Sequence, residues 1–225
     1  LKVQNHKGVF IAGLIICSWF LMLTYLLRLP VEFTNPFIYL FILIQTHLYT
    51  GLFITAHDAM HGVVAYNKRL NKTIGFLAAT LFAYNYYPKL FSKHHQHHRF
   101  VGSDQDPDYH HGTFIPWYVN FLKQYITWYQ VVLMAITYNL LILVFPKENV
   151  ILFWIIPSLL STIQLFYFGT YLPHRGEHEV NNKHNSTSFQ KNHFLAFITC
   201  YFFGYHYEHH DSPSTPWWQL YKQKN

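Results

Sequence analysis

Long apolar blocks alternate with polar, histidine-bearing ones along this chain. Gly8 to Leu29 is apolar apart from Ser18, Thr24 and Arg28, and Pro36 to Thr55 forms a second such run. Each is long enough for a helix to cross a hydrocarbon core of about 30 Å. Pro30, Asn35 and Pro36 punctuate the turn between them. Two further spans are predicted, separated by Pro146-Lys147-Glu148-Asn149. The pattern predicts an all-α integral membrane protein with spans at 8–29, 36–55, 126–145 and 150–172. These four transmembrane helices form two hairpins beneath a cytoplasmic helical cap, in a single domain over 1–225. Residues 73–91, moderately apolar but containing Asn85, Pro88 and Lys89, read as one re-entrant or interfacial helix. The stretch Phe194 to Gly204 is too short to cross and is expected to pack beneath the polar region.

Composition agrees with a membrane protein. Only 12% of residues are charged and 51% are hydrophobic, against roughly a quarter charged in soluble domains. The net charge of +6 is too small and scattered for a nucleic-acid binder. Its distribution sets topology instead. Lys2 and Lys7 precede the first span, and Lys68, Arg69, Lys72, Lys89, Lys93 and Arg99 follow the second, while the opposite loops carry little beyond Arg28 and Lys147. Positive-inside reasoning puts both termini and the 56–125 segment in the cytoplasm, and the second hairpin returns 173–225 to that side. Cys17 and Cys200 lie in apolar segments, against a disulfide framework or a thiolate zinc site. The first apolar block is too long for a secretory signal and lacks a cleavage site. The opening residue, Leu1, suggests further residues upstream. Trp217, Trp218 and Tyr221 suit either an interfacial belt or the core.

Histidine changes the picture most. More than half of the 17 histidines fall in three short words: His57-Asp58-Ala59-Met60-His61, His94-His95-Gln96-His97-His98 and His206-Tyr207-Glu208-His209-His210. Helical i, i+3 and i+4 positions share a face. His57 and His61 can therefore converge, as can His94, His97 and His98, and likewise His206, His209 and His210, with His95 pointing away. One HxxxH in a histidine-rich chain is usually structural. Two HxxHH words and an HxxxH on one membrane face are hard to ascribe to chance.

Eight imidazoles exceed the needs of one metal, since a mononuclear zinc enzyme uses three ligands and an open position. Two metals of octahedral habit would be satisfied, with room for water or O₂. A redox-active pair with almost no anionic ligands suits O₂ activation and attack on an unactivated C–H bond. Spacing does not select the metal, because imidazole also suits zinc, copper and nickel. His174 and His184 compete as a ninth ligand. His178, His193, His110 and His111 read as loop residues, His6 as a headgroup-side residue, and His47 as a bundle or substrate contact. Asp58, Glu208, Asp106 and Asp108 are candidates to accept the second N–H of metal-bound imidazoles, with Asp104 nearby. The 104–108 stretch could equally be a solvated Asp-Pro turn.

These boxes resemble those of the membrane fatty acid desaturase and hydroxylase superfamily. Four longer words are more specific: Thr50 to Gly62 around His57; Asp106-Pro107-Asp108-Tyr109; Gln164 to His174; and Phe203 to His210 followed by Pro216-Trp217-Trp218. They resemble the bacterial and cyanobacterial β-carotene ketolases over about residues 8–221. The resemblance implies a non-haem di-iron centre, O₂ as co-substrate and a reduced ferredoxin-like electron donor. Its substrate would be a carotenoid in the lipid bilayer. The C4 methylene of a β-ionone ring would be hydroxylated twice and the geminal diol would lose water, taking β-carotene through echinenone to canthaxanthin. The superfamily pattern takes a histidine from the end of the fourth span, favouring His174 over His184. The Glu- and Asn-rich segment Arg175 to Asn182 and the extra His95 depart from the pattern.

Other readings share part of this evidence. A fatty acyl desaturase or hydroxylase, or a carotenoid ring hydroxylase, would use the same cage. A membrane metal-binding or electron-transfer protein is the non-enzyme alternative. Transporters place ligands near the bilayer midplane, and haem needs only two axial ligands, so both fit less well.

Overall fold

Apolar composition and helix length coincide in three places. α1 (His6–Leu26), α2 (Pro36–Met60) and α7 (Lys147–His174) are each long and apolar enough to cross a membrane. The computed structural model describes residues 6–224; Lys2, one of the charges used for topology, lies outside the described residues. α2 starts where expected, because the Asn35 side chain accepts the Phe37 N–H and Pro36 occupies the first turn, a position that needs no donor. It runs past residue 55 to carry the first histidine word. α7 contains two widened π turns, Ile151–Ile155 and Tyr167–Tyr171. Pro157 and Pro173 follow directly after, each removing a backbone donor that a regular α-turn would require.

The stretch 126–145, expected to form a span, holds only a shorter apolar helix. Its helix, α6, covers Trp128–Leu141, 14 residues, or about 21 Å at 1.5 Å per residue. A capping box between Thr127 and Gln130 fixes its start, and residues 142–144 turn instead of extending it.

Contacts between helix ends fix their directions. A Cβ on Gly8 would collide with the Val64 carbonyl, so the start of α1 lies against the chain just beyond α2. At the opposite end, Asn149 at the start of α7 donates to the Leu26 and Leu29 carbonyls at 2.8 and 2.7 Å. Arg28 lies over the Phe145 ring there, 5.4 Å from its centroid. The start of α1 and the ends of α2 and α7 therefore share one end of the bundle.

Residues 73–91 do not form the single helix expected. α3 (Lys68–Leu81) and α4 (Tyr87–Phe100) are separate, broken where Ala83 and Tyr84 adopt left-handed backbone at φ 55° and 57°. Pro88 opens α4. α3 is fixed beneath the first histidine word by Asn71, which donates to the Ala59 carbonyl at 2.7 Å and accepts the Val64 and Ala65 N–H groups. α5 (Phe114–Tyr125) leads into α6. α8 (His193–Cys200) ends on Tyr201 and Phe202, both at positive φ, which turn the chain into α9 (His206–Asp211). Trp217 is buried against Tyr201 and Phe202, so it belongs to the core and not to an aromatic belt.

Candidate metal centre

Nine imidazoles converge in two groups at the common end of α1, α2 and α7. His57, His61, His94, His98 and His209 form one group, and His97, His174, His206 and His210 the other; within each, one ligand atom per residue lies within 4.8 Å of all the rest. Helix geometry explains this partition. Residues four apart differ by about 40° around a helix and residues three apart by about 60° the other way. On α4, His94 and His98 go to the first group and His97 to the second. On α9 the assignment is reciprocal: His206 and His210 go to the second group and His209 to the first. Each HxxHH word thus serves both groups, which locks the pair together.

The close nitrogens fit a metal shell. Nε2···Nε2 separations are 2.7 Å for His61 and His94, 3.1 Å for His98 and His209, 3.2 Å for His97 and His210, and 2.9 Å for His206 with both His174 and His210. Two imidazoles bound at about 2.1 Å and at right angles stand about 3.0 Å apart. The buried Nε2 of His57 has no protein partner, as expected of a lone pair kept for a metal.

Several second nitrogens are held from behind. His97 Nδ1 lies 2.9 Å from Asp106 Oδ1 and His174 Nδ1 lies 2.8 Å from the Asn185 carbonyl. Asp106 also accepts the Gly102 and Asp108 N–H groups, so the segment is a turn, but a buried one that faces a histidine and not a solvated one. Asp58 lies 3.4 Å from His57 Nδ1 and accepts the Trp217 N–H at 3.0 Å, tying the C-terminal turn to the first word. Asp108 accepts from the Tyr125 hydroxyl and stands 3.9 Å from His97. Glu208 does not fit the role expected of it: it accepts from Ser188 and pairs with Lys224 at 3.0 Å, away from the imidazoles. The Asn185 carbonyl was missed because a backbone acceptor leaves no side-chain signal. Replacing Asp106 by Ala should weaken metal binding about 10- to 100-fold, while exposed Asp104→Ala should not; metal titration of the two variants checks this.

Other histidines stay outside both groups. His184 faces Asp211 at 3.4 Å, its ring 5.7 Å from that of His210. Exposed His95 stacks on Phe91 and bonds to the Phe91 carbonyl. His47 stacks on Tyr201 deep in α2, His193 bonds to the Tyr205 hydroxyl, His110 to the Gly112 N–H, and His111 lies by Asp104. His6 is exposed and His178 is half-buried.

Burial and mutual crowding keep the cage neutral. Burial lowers His61 to about 4 and, with neighbouring imidazoles, His98 to about 2. His94, His206, His209 and His210 are held well below the ordinary imidazole value by burial and by each other. His97 is the exception: burial would lower it, but Asp108 and Asp106 outweigh that and raise it. Metal binding requires neutral imidazoles. Near pH 7 the cage imidazoles other than His97 should therefore release few protons on loading; calorimetry in buffers of different ionisation enthalpy measures this.

Three helices long and apolar enough to cross a membrane, delivering two facing groups of imidazoles that could each hold a metal ion, are consistent with an integral membrane protein with a metal centre. The fatty acid desaturase family profile matches residues 34–130 and 116–224. The chain is 44% identical to a β-carotene ketolase of Paracoccus sp. (strain PC1) over 179 residues, 78% of this chain and 74% of that protein. It is 41% identical to a zeaxanthin 4-ketolase of Chlamydomonas reinhardtii over 77% of this chain and 41% of the relative. With a β-carotene 4-ketolase of Protosiphon botryoides the identity is 38%, over 85% and 52%. No solved structure matches the chain. The chain belongs to the fatty acid desaturase family, on the branch that holds these ketolases.

Proposed function

We propose that this protein is a carotenoid 4-ketolase that uses a non-haem di-iron centre, O₂ and a reduced ferredoxin-like donor to turn the C4 methylene of a β-ionone ring into a ketone. The observation that carries it is the joining of nine imidazoles in two groups to an apolar chamber, in a chain 44% identical to a β-carotene ketolase. His57, His61, His94, His98 and His209 would hold one iron, and His97, His174, His206 and His210 the other. Irons so held would supply O₂ activation for oxygen insertion at an unactivated C–H bond. Each hydroxylation consumes one O₂, two electrons and two protons and yields one water. A second hydroxylation at the same carbon gives a geminal diol, and loss of water leaves the ketone.

The protein's own groups orient and exclude. Phe53, Phe121, Leu165 and Phe203 line the chamber beside His57, His94 and His206, shielding the reacting carbon from bulk water. Asp106 and the Asn185 carbonyl fix the rings of His97 and His174.

Four membrane crossings are proposed, with α6 and the turn after it as the third. Connectivity supports this: α2 ends at the histidine end, whereas α7 starts beside Leu26 and Leu29 at the other, so the intervening chain must traverse the bundle. Lys7, Lys68, Arg69, Lys72, Lys89 and Lys93 favour the cytoplasm for the histidine end and both termini. Expression in cells that accumulate β-carotene tests the activity. Echinenone and canthaxanthin should form; unchanged pigments with newly unsaturated acyl chains would reject this reading in favour of the acyl alternative.

A further inference from the structure

A second cavity, about 310 Å³ in volume, adjoins the chamber beside the histidines. Phe53, Leu90, Phe121, Tyr125 and Leu165 line both, so the two form one passage. It is closed at its inner end by His57, His94 and His206. Its outer wall includes Ile126, Val131 and Leu159, which are also 49%, 60% and 58% exposed. Residues that line a cavity and face outward mark its mouth. Leu159 lies near the midpoint of the membrane-length α7 and Val131 near the start of α6, so the mouth opens within the hydrocarbon core, between α6 and α7. Neither cavity is lined by lysine or arginine. An acyl thioester with an anionic head would want such a partner at the entrance, whereas a hydrocarbon dissolved in the bilayer needs none.

The passage is also too short for a whole carotenoid. From Leu159 to Gly169, which lines the inner chamber, α7 rises about 15 Å. The chain of about eighteen carbons between the rings of a bicyclic carotenoid alone extends roughly 20 Å at ordinary bond lengths. One ring and part of the polyene can enter while the other ring stays in lipid. We infer that the carotenoid enters sideways from the bilayer core, ring first, and that the monoketone leaves and re-enters reversed before its second ring is oxidised. This rests on the ketolase reading for its chemistry, but not for its route.

Two measurements test it. Leu159→Trp should narrow the mouth, lowering both kcat/KM for β-carotene and the β-carotene retained by purified protein at least about tenfold, with metal content unchanged. Leu14→Trp, on the exposed face of α1 and outside both cavities, should change neither. In a chase, excess unlabelled β-carotene added early should stop labelled monoketone from becoming diketone. Unaltered retention and turnover in Leu159→Trp would overturn the lateral route. Labelled diketone accumulating from the first turnovers despite the chase would overturn release between rings. If the wild type retains β-carotene but forms no ketone, the ketolase reading fails, while retention by the two variants still decides the route.

Discussion

His174→Ala is expected to empty one of the two metal positions and to lower turnover at least about 1,000-fold, equivalent to roughly 4 kcal/mol of transition-state stabilisation. Its group has only four imidazoles, and His174 Nε2 lies 2.9 Å from His206 Nε2. Three remaining ligands in a site arranged for more would hold metal weakly. Removal also leaves the Asn185 carbonyl without the ring it positions. His184→Ala is the informative partner, because His184 sits beside the same group yet pairs with Asp211. It should keep its metal and most of its activity. Metal analysis of both purified variants decides the matter; depletion in the His184 variant alone would reverse the assignment.

The second large effect compares neighbours on one helix. His98→Ala should lose metal from the five-imidazole group and, again, at least about 1,000-fold in turnover. Its Nε2 stands 3.1 Å from that of His209, so its loss removes one contact between α4 and α9 and leaves that of His97 with His210. His95→Ala, three residues earlier, should retain metal and at least about half of wild-type turnover. That ring is exposed and leans on Phe91; its removal leaves the stability of the cage within the small range expected of surface changes. Metal loss in His95→Ala would mean that the boundary of the second histidine word has been drawn wrongly.

What could be read from the sequence follows the range of the interactions involved. The faces of His57 with His61, of His94 with His98 and of His206 with His210 depend only on local helix geometry, and their spacing revealed them. Membership of the two groups depends on tertiary packing. That His97 joins His174 and not its neighbours His94 and His98 required the relative placement of α4, α7 and α9. The 100° between His97 and His98 held half of that information. The spans at 8–29, 36–55 and 150–172 were legible because apolar runs of that length have few alternatives. The break at Ala83 and Tyr84 was not, since neither residue type advertises left-handed backbone. For Trp217 the sequence left an interfacial belt and the core both open, and only its backbone bond to Asp58 and its burial place it inside. Glu208 shares a word with three imidazoles yet points elsewhere on the helix, toward Ser188 and Lys224.

The most direct test of the central claim is the mass of the product formed from β-carotene by purified, iron-loaded protein given O₂ and a reduced ferredoxin. Each ring processed should gain one oxygen and lose two hydrogens at C4, and no product should form after the imidazole groups are stripped of metal. A product that gains oxygen but keeps all its hydrogens, with no ketone at long times, would make the protein a hydroxylase and contradict the account.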